Sequence, residues 1–209
     1  MKVLVTAGPT VERIDAVRFI SNRSSGKMGY AIAEAARDCG CEVVLVSGPV
    51  NLDAPANIEV EQVESAAEMS QAVHKHAVDA DIIVMAAAVA DYTPKNKLDR
   101  KMKKQSGDLT IELERTEDIL QTLGINKCPG QVLVGFAAET EDLIKYATEK
   151  LQRKNLDWIA ANDVSAARRG FGTDTNEITL LSRNGKKISI PLADKKNVAR
   201  KILKIILPE

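Results

Sequence analysis

The stretch SNRSSGKMG, residues 21–29, stands between a valine-rich run and the first amphipathic helix pattern of the chain. The first amide N–H groups of a helix have no partner within it, and the aligned peptide dipoles leave partial positive charge at that end. Two serines, a glycine and a lysine at such a point favour binding of an anion, usually a phosphate. For an isolated SSG motif, the alternative is that Ser24 or Ser25 merely caps the helix.

The segments on either side of this stretch predict a strand, turn, helix and strand unit. Residues 2–6 form an apolar run that ends at a Gly-Pro turn, and residues 42–47 form the next one, so both are typical of buried parallel strands. From Met28 onward the apolar residues fall on one helical face, and Gly40 supplies a stop. The unit has the length that a right-handed crossover needs.

The alternation continues through the chain. Residues 81–87 predict a central strand, buried on both faces, followed by AVADY at its carboxyl end. Ligands bind outside the carboxyl ends of parallel strands, near the point where strand order reverses, so residues 87–92 and 21–29 are expected to face each other. Further strands are predicted at 58–63, 109–113, 131–136 and 157–160, and helices after a Ser65/Glu68 capping box, after Thr116, at 141–154 and at 197–207.

Together these elements predict an α/β fold of the Rossmann-like type, with three layers and a doubly wound, mainly parallel sheet. An Asn184-Gly185 turn predicts an antiparallel hairpin near residues 178–191, as a projecting two-stranded ribbon. No linker or internal repeat interrupts the chain, so residues 1–209 are expected to form one nucleotide-binding domain.

Residues 94–107, PKNKLDRKMKKQSG, break the alternation and predict a flexible basic loop. The loop carries six lysines and arginines against one acid, Asp99. A charge run of this kind is usually a solvated surface. Because the loop leaves directly from the AVADY end of the central strand, it could instead close over a polyphosphate and exclude water. Lys150 and Lys154, one helical turn apart, could add two cations on one face.

Composition excludes several classes of function. Lys+Arg 29 balances Asp+Glu 29 and aromatic residues make up 3%, which argues against nucleic-acid and membrane partners. No apolar run reaches the roughly 18 residues of a membrane span, and no signal peptide is evident, so we expect a cytoplasmic location. The three cysteines form no CxxC pattern, and His74 and His76 are expected on the helix surface, which disfavours a zinc site or a Ser/His/Asp triad.

The phosphate fingerprints GxxxxGK[ST] and GxGxxG are absent, so spacing alone predicts a phosphate site of unusual type and no reaction. Eight motifs in order nevertheless resemble the phosphopantothenate–cysteine ligase family of coenzyme A biosynthesis, in its bacterial, CTP-using form. The resemblance covers nearly the whole chain. Its motifs are TAGPT at 6–10, RxISNxSSGKMG at 18–29, LVSGP at 45–49, AAVADY at 87–92, KMKK at 101–104, VGFAAET at 134–140, RKNLD at 153–157 and AND at 161–163.

The resemblance implies a two-step ligation of 4′-phosphopantothenate with cysteine. The carboxylate attacks the α-phosphate of CTP and releases pyrophosphate, and the cysteine amine then displaces CMP from the acyl-cytidylate. Asn22 and Arg18 are implied to bind the substrate, with the Asn22 amide donating to the developing oxyanion, and Lys101 belongs to the loop that covers the intermediate. Mg²⁺ is expected with the triphosphate. The implied nucleotide-binding residues are Ser24, Ser25, Gly26, Lys27, Ala87, Asp91, Phe136, Lys150 and Lys154.

The resemblance also implies a homodimer, with the 178–191 hairpin as the expected interface element. The chain is expected to be either a stand-alone enzyme or half of a protein that also carries phosphopantothenoylcysteine decarboxylase. Two other functions remain open. A nicotinamide-dependent reductase needs a glycine fingerprint after the first strand and an acid at the end of the second, and the sequence supplies neither. A non-catalytic nucleotide sensor would not need Asn22 and the lysine-rich loop together.

Overall fold

Strands and helices alternate along the chain, as the sequence predicts. The computed structural model describes residues 1–104, 106–139, 141–163 and 172–208. Its strands are β1 (Lys2–Ala7), β2 (Val11–Arg13), β3 (Phe19–Ser21), β4 (Glu42–Ser47), β5 (Glu59–Gln62), β6 (Ile82–Met85), β7 (Tyr92–Pro94), β8 (Leu113–Arg115), β9 (Val132–Glu139), β10 (Trp158–Asp163), β11 (Thr175–Ser182) and β12 (Lys187–Asp194). Its helices are α1 (Lys27–Asp38), α2 (Ala66–Ala77), α3 (Ile119–Ile125), α4 (Leu143–Arg153) and α5 (Lys195–Ile206).

Eight of these strands form one sheet in the order β12-β11-β10-β9-β6-β1-β4-β5. The run from β10 to β5 is parallel throughout. The chain starts at β1, moves outward to β4 and β5, and returns to β6 on the other side of β1 before continuing to β9 and β10. This is the predicted doubly wound order, and it reverses between β1 and β6. The crevice outside the carboxyl ends of β1 and β6 is therefore the expected ligand site.

The predicted hairpin is present, but it is not a projecting ribbon. β11 pairs antiparallel with β10, and β12 pairs with β11, so the hairpin continues the main sheet. Ile178, Leu180 and Ile190 are buried in the same core cluster as α5. The alternating apolar residues of the hairpin need a helix to cover them, and α5, which follows directly, supplies that cover.

Helices cover both faces of the sheet, which gives the predicted three layers. Val3 and Val5 pack toward α1 and α5, whereas Leu4, between them, packs toward α2, α3 and α4. Alternate residues of a strand point to opposite faces, so a strand that is apolar at every position must be covered on both sides. Among the described residues, no helix is long and apolar enough to cross a membrane.

Two local predictions in the segment 109–116 are wrong. Of the strand predicted at 109–113, only Leu113 is in a strand, and that strand, β8, pairs with β7 outside the main sheet. Thr116 does not cap α3; Asp118 does, by accepting from the Gln121 amide at 3.0 Å. The Thr116 hydroxyl instead donates to the carbonyl oxygen of Ala90, in the AVADY segment. This bond holds the Thr116 side chain away from the helix.

His76 was expected on the helix surface and is buried, with its Nε2 2.7 Å from a carboxylate oxygen of Glu61. The strand β5 brings Glu61 against this end of α2, a contact that helical periodicity alone does not reveal. His74 remains on the surface beside Glu117. The predicted cap at the other end of α2 is confirmed, since Ser65 accepts from the Glu68 amide at 3.2 Å.

Candidate functional site

A pocket of about 260 Å³ lies where the β1–β6 crevice is expected, between the start of α1 and the carboxyl ends of β6, β9 and β10. The predicted facing of the two sequence stretches is therefore confirmed. Thr140, at the end of the VGFAAET motif, and Gln105, in the basic loop, lie outside the described residues. Of the residues predicted to bind a nucleotide, the pocket brings together Ser24, Ser25, Gly26, Lys27, Ala87, Asp91, Phe136 and Lys150.

The start of α1 has no side-chain cap. Gly26 is its N-cap residue, with φ at 75°, and no side-chain capping hydrogen bond is present here among the described residues. Ser24 Oγ accepts only from the Gly26 amide, at 3.4 Å. The interpretation of Ser24 or Ser25 as a simple N-cap is therefore wrong, because the left-handed turn at Gly26 carries the serines away from the helix. The helix end is left open toward the pocket, as an anion site requires.

Glycine is required at two points of this turn. A Cβ at Gly26 would lie 2.7 Å from Val50, and the positive φ disfavours any other residue. A Cβ at Gly29 would lie 2.6 Å from the side chain of Ala7, at the end of β1. These two glycines let the first turn of α1 approach the end of the strand closely, and so place its amides at the crevice.

Two threonines of the TAGPT motif hold the AVADY segment. Thr6 Oγ1 accepts from the Ala87 amide at 3.1 Å, and Thr10 Oγ1 accepts from the Ala90 amide at 2.9 Å. Both threonines are fully buried. From the sequence, TAGPT was interpreted as a turn and as a family motif, with no contact assigned to it. In the structure its threonines fix the segment that carries Asp91, and the Asp91 side chain is exposed at the pocket.

The two lysines predicted on one face of α4 have different surroundings. Lys150 lines the pocket, where its Nζ donates to the main-chain oxygen of Phe136 at 2.8 Å. Lys154 is not among the pocket-lining residues of the described chain; it is buried, and its Nζ donates to Asp118 at 2.8 Å. A direct contact of Lys154 with a triphosphate stays a prediction.

Lys27 and Lys195 add positive charge to the pocket. Lys27 Nζ lies 2.5 Å from Asp174, and this hydrogen bond lowers the pKa of the Asp174 carboxyl. Lys195, the first residue of α5, is buried and donates to the Thr173 oxygen at 2.5 Å. Burial lowers the pKa of the Lys195 ammonium, and the charge of Lys27 lowers it further. The sequence did not predict Lys195 as a pocket residue. Lys195 belongs to none of the quoted motifs, and it lies near the C-terminus, far in sequence from residues 21–29.

Asn162, at the carboxyl end of β10, is the second residue that sequence reasoning missed. It lines the pocket and is 9% exposed, and its Oδ1 is buried with no hydrogen-bond partner among the described residues. An unsatisfied buried acceptor costs about 1–3 kcal/mol, which a ligand that donates to it would recover. The signal was present in the sequence, as the asparagine of the AND motif at a strand end.

Asn22, just after β3, is not among the described residues that line this pocket, but its side chain contacts Ala88 and Val89, which do line it. Its Nδ2 donates to the carbonyl oxygen of Ala88 at 3.0 Å and contacts that of Val89 at 3.5 Å. These bonds cross from one side of the crevice to the other, whereas an Asx turn would keep the side chain within its own loop.

Arg18 and Lys101 meet in a second cavity, of about 850 Å³, formed between the β2–β3 turn and the basic loop. Arg18 is held by Asp15, with Nε and Nη2 at 3.0 and 2.6 Å from the same carboxylate oxygen. The Met102 amide and the main-chain and side-chain donors of residues 17 and 18 hold the pKa of the Asp15 carboxyl well below its usual range. The first part of the basic loop is thus bound to the fold and is not simply a solvated surface.

The fold and this site define a class: a Rossmann-like protein with a lysine-lined pocket at its switch point, beside the N-terminus of α1. The family model described as DNA/pantothenate metabolism flavoprotein C-terminal domain matches residues 1–208, and the chain belongs to that family.

Similar proteins agree with this assignment. The chain is 53% identical over 205 residues to the coenzyme A biosynthesis bifunctional protein CoaBC of Bacillus subtilis, covering 98% of this chain and 50% of that protein. It thus spans about half the length of the curated relatives it matches. The crystal structure of a CoaBC C-terminal domain superposes with a TM-score of 0.84 at 49% identity, covering 98% of this chain and 93% of that one. A complex of Cab2 with phosphopantothenate-cysteine shares the fold, with a TM-score of 0.79 at 17% identity, covering 98% and 84% of the two chains.

Proposed function

We propose that this chain ligates 4′-phosphopantothenate to cysteine at the expense of CTP, through an acyl-cytidylate, giving phosphopantothenoylcysteine, CMP and pyrophosphate. The observation that carries the proposal is the single pocket in which the open end of α1, the AVADY segment, Phe136 and Lys150 converge. The Bacillus subtilis relative is named for coenzyme A biosynthesis, and the Cab2 structure was solved with phosphopantothenate-cysteine, which supports the substrate class.

The first step needs a triphosphate held and neutralised. Lys27, Lys150 and Lys195 line the pocket beside the α1 N-terminus. A helix end contributes about 0.3–1 kcal/mol toward an anion, whereas a hydrogen bond to a charged group contributes about 1.5–3 kcal/mol. The lysines therefore supply most of the binding energy, and the α1 amides orient the phosphate. In the proposed step, the substrate carboxylate attacks the α-phosphate, and pyrophosphate leaves toward this cationic wall.

Mg²⁺ is proposed to bind together with the triphosphate. Mg²⁺ is usually held by one or two carboxylates together with substrate phosphates and water. The pocket fits this pattern, because Asp91 is exposed at its edge. No cluster of three or more His, Cys, Asp or Glu side chains suited to a metal occurs in the ranges that the structure describes. Asp91 would hold the ion, which when bound would supply charge neutralisation to the phosphates.

Asn22 is proposed to act in the second step. An amide nitrogen has two hydrogens, and the bond to Ala88 at 3.0 Å uses one of them. The second contact of Asn22 Nδ2, with the carbonyl oxygen of Val89, is long at 3.5 Å, so an acyl oxygen of the substrate could replace it as the acceptor. In this role Asn22 stabilises the oxyanion that forms when the cysteine amine attacks, while Arg18 binds the substrate and Lys101 covers the intermediate.

Incubating the protein with CTP, 4′-phosphopantothenate and cysteine tests the proposal. We expect pyrophosphate release that depends on 4′-phosphopantothenate, and CMP release that depends on cysteine, with ATP as the matched nucleotide control. CTP binding without pyrophosphate release would instead indicate a nucleotide sensor. Nicotinamide binding with hydride transfer would indicate a reductase.

A homodimer is proposed as well, through a surface different from the hairpin first expected. Large apolar side chains are exposed on the β2–β3 turn and on the β7–β8 ribbon that packs against β2, among them Val17 and Phe19, each 59% exposed. A second copy of the chain would cover this surface. Light scattering at micromolar concentration should give a dimer that Phe19→Ser weakens and Val78→Ser, at an exposed position of α2's end, does not. A monomeric unsubstituted protein would remove the proposal.

A cytoplasmic location is part of the same proposal. Cys39, Cys41 and Cys128 are free thiols, which suits the reducing cytoplasm.

The partner enzyme is a further part of the proposal. The relatives of about twice this length are bifunctional by name, so we propose that a phosphopantothenoylcysteine decarboxylase acts with this chain, either fused to it or as a separate protein.

A further inference from the structure

Asp15 is a buried carboxylate that accepts hydrogen bonds from two different segments. Its side chain is fully buried. Oδ1 accepts from the amides of Val17 and Arg18, at 2.8 and 2.9 Å. Oδ2 accepts from the Arg18 guanidinium and from the Met102 amide, the latter at 3.0 Å. One oxygen therefore shapes the β2–β3 turn, and the other binds the basic loop.

Met102 is held by both of its main-chain polar groups. Its amide donates to Asp15, and its carbonyl oxygen accepts from Arg18 Nη2 at 2.9 Å. Four residues earlier, the Leu98 amide donates to the carbonyl oxygen of Ile14 at 3.1 Å. Lys101 therefore lies between two points at which the basic loop is fixed to one turn.

The local turn by itself does not require an aspartate. Asparagine forms the same Asx turn, because it has one side-chain oxygen that accepts from amides two and three residues later. Only a carboxylate offers a second acceptor on the opposite side, and that is the oxygen that reaches Arg18 and Met102. The requirement for aspartate at position 15 thus comes from the basic loop and from Arg18.

We propose that Asp15 is a positioning residue for the ligation, which holds Lys101 of the basic loop and the guanidinium of Arg18 at the same cavity. Asp15 acts through these two residues and does not touch the substrate, so the inference rests on the proposed function. Arg18 donates from Nε and Nη2 to Asp15 and Met102, and Nη1 has no hydrogen-bond partner among the described residues, which leaves it available to an anionic group of a ligand.

Asp15→Asn is the direct test, because it keeps the Asx turn and replaces the oxygen that faces the loop with a donor. Glu64→Gln is the matched control, because it makes the same change in a surface carboxylate bound to Arg13. Limited trypsin digestion at Arg100 and Lys101 reports on the loop without any activity. We expect cleavage of Asp15→Asn to be about tenfold faster, the effect of losing one charge-assisted hydrogen bond, and cleavage of the control to be unchanged.

Steady-state kinetics provide the second measurement. Displacing Lys101 should lower kcat about 10–100-fold and leave KM for CTP within about twofold, because the CTP pocket is built by other elements. In a Lys101→Gln background, Asp15→Asn should lower kcat further by less than about threefold, since Lys101 is already absent and displacement of Arg18, which is proposed to bind the substrate, should instead raise KM for 4′-phosphopantothenate. A full additional loss in that background would overturn the proposal, as would unchanged tryptic cleavage.

A pair of loop variants covers the case in which Asp15→Asn does not fold. Met102→Pro removes the amide donor and leaves the Asp15–Arg18 pair in place, whereas Met102→Ala keeps the donor. Because trypsin does not cleave before proline, the readout is the Arg100–Lys101 bond, which both variants keep. Faster cleavage of this bond in the proline variant alone is the expected result, and equal cleavage in both overturns the proposal. If the unsubstituted protein has no ligase activity, the proposed function fails, and the digestion experiments still decide whether Asp15 holds the loop.

Discussion

The side-chain amide of Asn22 donates to the carbonyl oxygen of Ala88 at 3.0 Å, which joins the loop after β3 to the carboxyl end of the central strand β6. The bond spans the crevice at the switch point of the sheet. It attaches a neutral amide group to Ala88, which lines the same pocket as the first turn of α1.

Replacing this amide by a carboxylate should separate the two steps of the reaction. Asn22→Asp cannot donate to Ala88 or to an oxyanion, and its charge repels both. We expect pyrophosphate release to stay within about threefold while phosphopantothenoylcysteine formation falls about 100-fold. Single-turnover measurement of both products checks this. Equal loss of both would remove Asn22 from the second step.

Lys101→Gln should lower turnover about 100-fold without altering the fold, because a positioned cation at the intermediate is replaced by a neutral amide. The measurements are kcat for the full reaction and the thermal unfolding midpoint. Lys201→Gln is the charge-matched control, at an exposed position of α5. Kinetics equal to those of the control would show that Lys101 takes no part in the reaction.

Asn162→Leu should affect stability and ligand binding in opposite directions. The substitution removes a buried oxygen with no partner among the described residues, so the free energy of unfolding should rise by about 1 kcal/mol. It also removes an acceptor from the pocket, so affinity for CTP should fall about tenfold in calorimetric titration. Asn51→Leu, at an exposed loop position, is the control. Lower stability with unchanged affinity would show that Asn162 serves the fold alone.

The Glu61 carboxylate should make stability depend on acid pH. Hydrogen bonds from Lys75 and then from His76 hold its pKa below the usual value of 4.5. Since the folded-state pKa is depressed, the stabilisation is complete above the unfolded-state value and is lost as the pH falls through the folded-state value.

Denaturant unfolding of Glu61→Gln checks this dependence. The unsubstituted protein should be the more stable near neutral pH, and the difference should shrink as the pH falls below about 4.5. A difference that stays constant down to about pH 3 would show that Glu61 does not titrate with folding.

Much of the fold could be predicted because its signals are local. The strand at 42–47 and the stop at Gly40 were placed correctly, since a buried parallel strand is apolar throughout and a glycine ends the helix in a left-handed turn. The strand at 109–113 and the cap at Thr116 were wrong. Both depend on the pairing of β8 with β7 and on the bond from Thr116 to Ala90, which join segments distant in sequence.

The residues of the candidate site were likewise predicted only in part. Motif order gave the start of α1, the AVADY segment, Phe136 and Lys150, all of which line the pocket. It did not give Lys195, Asn162 or the Asp15–Met102 contact, and it did not separate Lys150 from Lys154. Helical spacing places two lysines on one face, but only the tertiary structure, which brings the C-cap of α4 to the N-cap of α3, decides that Lys154 meets Asp118.

The sequence by itself determined the doubly wound α/β class and the family resemblance, and it predicts an anion site at residues 21–29, because hydrophobic periodicity, glycine positions and motif order are properties of the chain. Only the tertiary structure decided which end of which strand each side chain reaches. The strand order β5-β4-β1-β6-β9-β10 brings Asn22 to Ala88 and Asp15 to Met102. Such contacts form when distant segments bury a common core, and their partners cannot be predicted from local sequence.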